Sequence, residues 1–188
     1  MHDLPPITAL GGTTPRVDTV NDVTLAEVPN VALASVAARR GHATTCAKTL
    51  KTLLGTPAPD PGRAATGKDH IALWMGPDQW MLSADFDTHE DIAAHVKSYL
   101  ADTASVTEQT DAWVCFDLTG PRINAVLELL CNIDLTRFDT GHATRTSIHH
   151  LGCFVICTDA RQSVRSMGPR ASAGSLHHAI TTAMAAAL

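Results

Sequence analysis

The spacing of apolar residues switches between a period of two and a helical period in the same order twice along the chain. This repeated order narrows the available folds more than any other feature. In the first pass, residues 23–28 and 31–37 read as short strands around Pro29-Asn30, and Cys46, Leu50, Leu53 and Leu54 give residues 43–54 one helical face, with Gly55 placed to end it. The Pro-rich stretch 56–62 can continue neither helix nor central strand. Residues 70–76 and 79–84 flank Gly76-Pro77-Asp78-Gln79 as a hairpin; a helix is predicted from Thr88 to about residue 100, then a strand over 105–109. The second pass begins with a strand over 112–118 and a helix opened by Gly120-Pro121, striped by Ile123, Val126, Leu127, Leu130 and Cys131. Strands over 144–150 and 153–158 are predicted to join at Leu151-Gly152, followed by a short strand over 164–167 and a closing helix from Ser172. The run from Cys153 to Cys157 is apolar on both faces and should lie inside a sheet.

Strand, helix, two strands, helix, strand is the split pattern of ferredoxin-like motifs. The expected fold class is therefore α+β, built from two related ferredoxin-like halves at about 23–110 and 111–188. Residues 1–22, rich in Pro, Gly, Thr and Asp, read as a flexible or surface-draped lead-in. At 188 residues the chain makes one domain of two small halves and needs no staples to bury a core.

Charge and cysteine usage exclude several functions. Fourteen Lys and Arg against 19 Asp and Glu give a net charge of −5, without the basic balance of a nucleic-acid binder. No apolar run reaches the roughly 18 residues of a membrane span, and the first residues lack the features of a signal peptide, so a cytoplasmic location is expected. Cys46, Cys115, Cys131, Cys153 and Cys157 are odd in number and form no C-x-x-C pair; reduced, buried thiols are expected.

The motifs of nucleotide, phosphate and nucleophile chemistry are missing: no Gly-rich dinucleotide loop, no phosphate-binding loop and no nucleophile elbow. Ten histidines invite a metal, but His89 and His95 are six apart rather than four, which puts them on different faces of a helix starting near Thr88. The pairs His149-His150 and His177-His178 diverge in the same way. No catalytic, cofactor-binding or metal-ligating residue is assigned. Two constellations and one tryptophan suggest contacts with another chain. Thr144 and Thr146 share one face of a strand whose other face carries Arg145, which wants a carboxylate or carbonyl in this chain or another. Arg170, just ahead of the closing helix, either meets an anion or is a solvated side chain beside a helix cap. Trp80 beside the Gly76-Pro77 bend is either core or an aromatic anchor at an interface. The expected partner face comprises Gly76, Pro77, Trp80, Thr144, Arg145, Thr146 and Arg170.

From about residue 24 onward the chain resembles the gamma subunit of heterotetrameric sarcosine oxidase. The resemblance is carried, in order, by Gly76-Pro77-Asp78-Gln79-Trp80-Met81-Leu82, Val106 through Ala112, and Val126 through Cys131 with Ile133-Asp134-Leu135. It continues in Gly141-His142-Ala143-Thr144-Arg145-Thr146 and in Gly168-Pro169-Arg170 with Ser175 through Ala179. Ala171 stands where a serine is expected after Pro-Arg. The resemblance implies a complex that oxidatively demethylates sarcosine to glycine, forms hydrogen peroxide and passes the one-carbon unit to tetrahydrofolate. It implies alpha, beta and delta subunits as partners, with FAD, FMN, NAD, tetrahydrofolate and zinc held by them and no cofactor in this chain. It also implies a fold similar to the folate-binding domain of aminomethyltransferases.

Two functions follow as expectations. One is a non-catalytic subunit that assembles and stabilises the complex. The alternative is a folate-binding one-carbon transferase acting on its own, which needs a deep pocket, stacking aromatics and a buried carboxylate; four Phe, three Trp and one Tyr leave few rings for it.

Overall fold

A computed structural model describes residues 6–188 of the protein. Among these residues the chain forms β1 (Val17–Val20), β2 (Val23–Glu27), β3 (Val31–Ala38), α1 (Ala43–Leu54), β4 (Ala64–Thr66), β5 (Ile71–Gly76) and β6 (Gln79–Asp85). It continues with α2 (Ile92–Leu100), β7 (Ala104–Glu108), β8 (Trp113–Thr119), α3 (Ile123–Leu130), β9 (Ala143–Ile148), β10 (Leu151–Asp159), β11 (Ser163–Pro169) and α4 (Ala173–Ala187). The fold is mixed α and β with two antiparallel sheets, ordered β1-β2-β8-β11-β10-β9 and β4-β5-β6-β3-β7. Each sheet belongs to one of two compact units: the first holds residues 6–29, Asp111–Thr140 and Thr144–Leu188, the second Asn30–Thr110 and Gly141–Ala143.

The second unit packs α1 and α2 on one face of its sheet. Cys46, Leu50 and Leu54 of α1 and Ile92, Val96 and Leu100 of α2 are buried at helical spacing. All of these but Leu54 cluster with Ala32, Ala34, Val36, Trp80 and Leu82, alternate residues of β3 and β6. Gly55 ends α1 at φ 74, with its N–H donating to the Lys51 carbonyl at 2.9 Å. The first unit is built likewise: Ile123, Val126 and Leu127 of α3 and Leu176, Ile180 and Met184 of α4 pack on Val114, Phe116, Leu118, Cys153, Val155 and Val164. The apolar run of β10 lies between β11 and β9 and is buried on both faces, as its sequence predicted.

Several expectations are corrected. The lead-in is not merely draped: β1 pairs with β2, and Ala9 and Leu10 pack on the first core. Its anchor is the Glu27 carboxylate, only 4% exposed, which accepts the Leu10 N–H at 3.0 Å and the Arg16 N–H at 3.2 Å. Residues 1–5 of that lead-in lie outside the described residues. Nor does the chain divide near residue 110 alone, since β2 pairs with β8 and so joins the unit made mostly of later residues. The helix predicted from Thr88 starts at Ile92, because Asp91 is its N-cap and accepts the Ala94 N–H at 3.0 Å. The hairpin join sits at His149-His150, not Leu151-Gly152; both histidines take positive φ, 48° and 67°, the turn geometry that follows strand twist. The short strand β4 was not foreseen.

All five cysteines are free thiols. Burial pushes Cys46, Cys115 and Cys153 up to about 11, and also raises Cys131 and Cys157. Thiolate chemistry has no foothold at such sites.

Candidate functional site

In the second unit, Pro77 and Asp78 form the exposed turn of the β5–β6 hairpin, with Asp78 at φ 56 and Gly76 opposite Gln79. Trp80 is no surface anchor. It is 6% exposed, packs with the α1 and α2 core, and its indole N–H donates to the Pro59 carbonyl at 3.2 Å. The Pro-rich loop before β4 thus serves to satisfy a buried indole.

In the first unit, Thr144, Arg145 and Thr146 lie on β9, an edge strand of its sheet. Arg145 is exposed, and its guanidinium carbon stands 5.8 Å from the centre of the Phe154 ring. Among the described residues no carboxylate pairs with it. Thr146 Oγ1 is 3.1 Å from Asn132 Oδ1. Arg170 is half-buried in a short 3-10 turn ahead of α4, and its carbonyl accepts the Ala173 N–H. The hairpin residues and the β9 residues therefore belong to different units.

A guanidinium–carboxylate pair does occur in the sheet, at residues the sequence did not single out. Arg165 of β11 lies opposite Asp117 of β8 and binds it through two contacts of 2.7 Å. The antiparallel register, invisible without the strand pairing, brings them together. On the same unit Arg16 binds the Asp18 carboxylate at 3.0 and 3.2 Å and His177 Nε2 lies 2.7 Å from its Oδ2; Arg16 first, and His177 after it, hold the Asp18 carboxyl below the usual carboxylate range.

A cavity of about 350 Å³ in the first unit is lined by Leu129, Leu130, His149, His178, Thr182 and alanines of α4. Its lining offers no carboxylate and no Phe, Trp or Tyr ring.

The histidines reverse the sequence expectation. His89 precedes α2 in a turn, with its N–H donating to the Asp85 and Phe86 carbonyls at 3.0 and 3.2 Å, so it is free of helical geometry. It meets His95 of α2 with ring centres 4.9 Å apart, and both meet His70, at 4.8 and 5.3 Å. His70 is placed by the turn between β4 and β5, where the Gly67 N–H donates to the His70 carbonyl at 2.8 Å. A Cβ on Gly67 would fall 2.2 Å from the Leu54 carbonyl oxygen, so only glycine fits there. His70 is 4% exposed, and burial followed by the two neighbouring imidazoles lowers its pKa, which favours the neutral ring. Spacing along one helix could not reveal this cluster, because its three members come from a hairpin turn, a loop and a helix.

No protein-family model matches the chain, and no curated protein matches it in sequence. Solved structures do match. A chain of the heterotetrameric sarcosine oxidase from Corynebacterium sp. U-96, solved in complex with pyrrole 2-carboxylate, aligns with a TM-score of 0.76 and 24% identity over 87% of this chain and 84% of its own. The glycine cleavage system aminomethyltransferase T from Bartonella henselae aligns with a TM-score of 0.61 and 15% identity, over 85% of this chain and 45% of its own. At these identities the comparison defines the fold: the chain has the fold found in a heterotetrameric sarcosine oxidase and in an aminomethyltransferase. Among the described residues no helix is long and apolar enough to cross a membrane.

Proposed function

We propose that the chain is the gamma-type subunit of a heterotetrameric sarcosine oxidase, and that it assembles and stabilises the complex rather than carrying its chemistry. The observation that supports this most is reciprocal coverage. The fold match takes in 87% of this chain and 84% of a chain from such a complex, whereas it takes in 45% of the aminomethyltransferase. A folate-dependent transferase acting alone would need a deep pocket with stacking Phe, Trp or Tyr rings and a buried carboxylate, and the cavity on α3 and α4 has neither in its lining. In this reading FAD, FMN, NAD, tetrahydrofolate and the zinc of such a complex are held by alpha, beta and delta partners.

The same reading makes each unit a ferredoxin-like split unit. The second sheet runs β4-β5-β6-β3-β7 and the first runs β9-β10-β11-β8-β2 before β1, so corresponding strands occupy corresponding places. In the first unit the strand expected after the last helix is supplied from the other end of the sequence, by β2.

The isolated full-length chain, incubated with sarcosine and oxygen, is expected to form no hydrogen peroxide above background; sustained, partner-free turnover would end the assembly reading. For contacts, the exposed Pro77 turn and Arg145 are the proposed partner-facing residues, whereas Trp80 lies in the core of the second unit. Arg145→Ala should leave the melting temperature of the isolated chain nearly unchanged, because an exposed cation–π contact contributes about 0.5–1 kcal/mol. It should weaken co-purification with the large subunits, since truncating a desolvated charge pair at an interface costs about 2–5 kcal/mol. A variant that assembles as well as the wild type removes Arg145 from the interface.

A further inference from the structure

We propose that His70, His89 and His95 form a binding site for one divalent transition-metal ion, with zinc the metal their donor set suits. The inference does not depend on the subunit reading. The three candidate ligand atoms lie within 4.8 Å of one another, although they come from three separate segments of the second unit. Three close imidazoles alone make a marginal packing motif, but one of them is also unsatisfied. His70 Nε2 is buried and has no hydrogen-bond partner among the described residues. Leaving such an atom without a partner is unfavourable, and a coordinated metal would supply the missing partner.

The other two rings are arranged for the same purpose. His89 Nδ1 is 2.9 Å from Thr88 Oγ1, which leaves Nε2 as the free nitrogen of that ring. A metal-bound histidine commonly has its second nitrogen fixed in this way, which sets tautomer and ring orientation. His95 is flanked by Tyr99 one helical turn on, with ring centres 5.3 Å apart. His89 and His95 are half-buried, so their rings can rotate inward. Zinc–nitrogen bonds of about 2.0–2.1 Å in a tetrahedron place ligand nitrogens about 3.4 Å apart, so the three nitrogens draw in from their present separation of up to 4.8 Å when the ion binds. An all-imidazole set suits zinc, copper or nickel and does not suit magnesium or calcium, which need oxygen donors. Three protein ligands leave the fourth position for water or an exchangeable donor.

The test uses the untagged full-length chain, stripped of metal with a chelator and titrated with zinc in competition with a chromophoric chelator. One equivalent should bind, and the bound ion should raise the melting temperature. His89→Ala and His95→Ala, both at half-buried positions, should each weaken binding roughly a hundredfold or more, since loss of even an outer partner commonly costs about 10–100-fold. His149→Ala/His150→Ala, in the exposed turn of the other unit, should bind as the wild type does. Cobalt substituted for zinc should show tetrahedral visible bands that vanish in the His89 and His95 variants. His70→Asn serves as a third variant, with its folding checked by circular dichroism. Absence of stoichiometric zinc binding by the wild type overturns the proposal, as does binding that survives in the His89→Ala/His95→Ala double variant.

Discussion

Phe116→Ala should lower the melting transition of the first unit by roughly 10 °C, the largest effect expected of any single truncation there. Phe116 is fully buried on β8, at the centre of the cluster formed with α3 and α4. Deleting a buried phenyl ring forfeits its transfer energy and leaves a cavity that its neighbours fill only in part, at about 3–5 kcal/mol. For a chain of this length each kcal/mol moves the transition by about 2–4 °C. Calorimetry of the variant measures the shift, and Phe116→Leu, which refills most of the space, should recover over half of it. A loss under about 1 kcal/mol would mean that Phe116 is not at the centre of this core.

The second large effect is expected where the sequence looked least structured. Glu27→Ala removes a carboxylate, itself only 4% exposed, that accepts two backbone N–H groups, from Leu10 and Arg16. Hydrogen bonds to a charged acceptor contribute about 1.5–3 kcal/mol each, and water recovers part of that at the half-buried Leu10 and exposed Arg16 N–H groups. A net loss on the order of 3 kcal/mol is expected, with faster proteolysis between residues 9 and 16. Glu27→Gln keeps one acceptor oxygen and should lose about half as much. If Glu27→Ala melts like the wild type and resists protease equally, the lead-in is held by other contacts.

These two positions also show what was legible in the sequence. The Phe116 strand announced itself by alternation, and α1 by apolar spacing ended at Gly55, because local patterns there agree with the packing they produce. The role of Glu27 could not be read, since its partners lie 17 and 11 residues away in a stretch of Pro, Gly and Thr with no periodicity. The same limit explains Trp80. Its flanking turn was plain, but whether the ring faces core or solvent depends on the Pro59 carbonyl, 21 residues back. For the histidines, spacing was the wrong instrument. A helix drawn from Thr88 puts His89 and His95 on different faces, whereas α2 starts only at Ile92, behind the Asp91 cap, and leaves His89 outside the helix.

The most direct test of the subunit reading is to purify the chain from its own host through a small affinity tag and weigh the eluted species by native mass spectrometry. The account predicts one copy of this chain in a stable hetero-oligomer with larger flavin-bearing chains, and sarcosine-dependent peroxide formation by that oligomer. Recovery of the chain alone, with no flavin-bearing partner and no sarcosine-dependent peroxide, would contradict it.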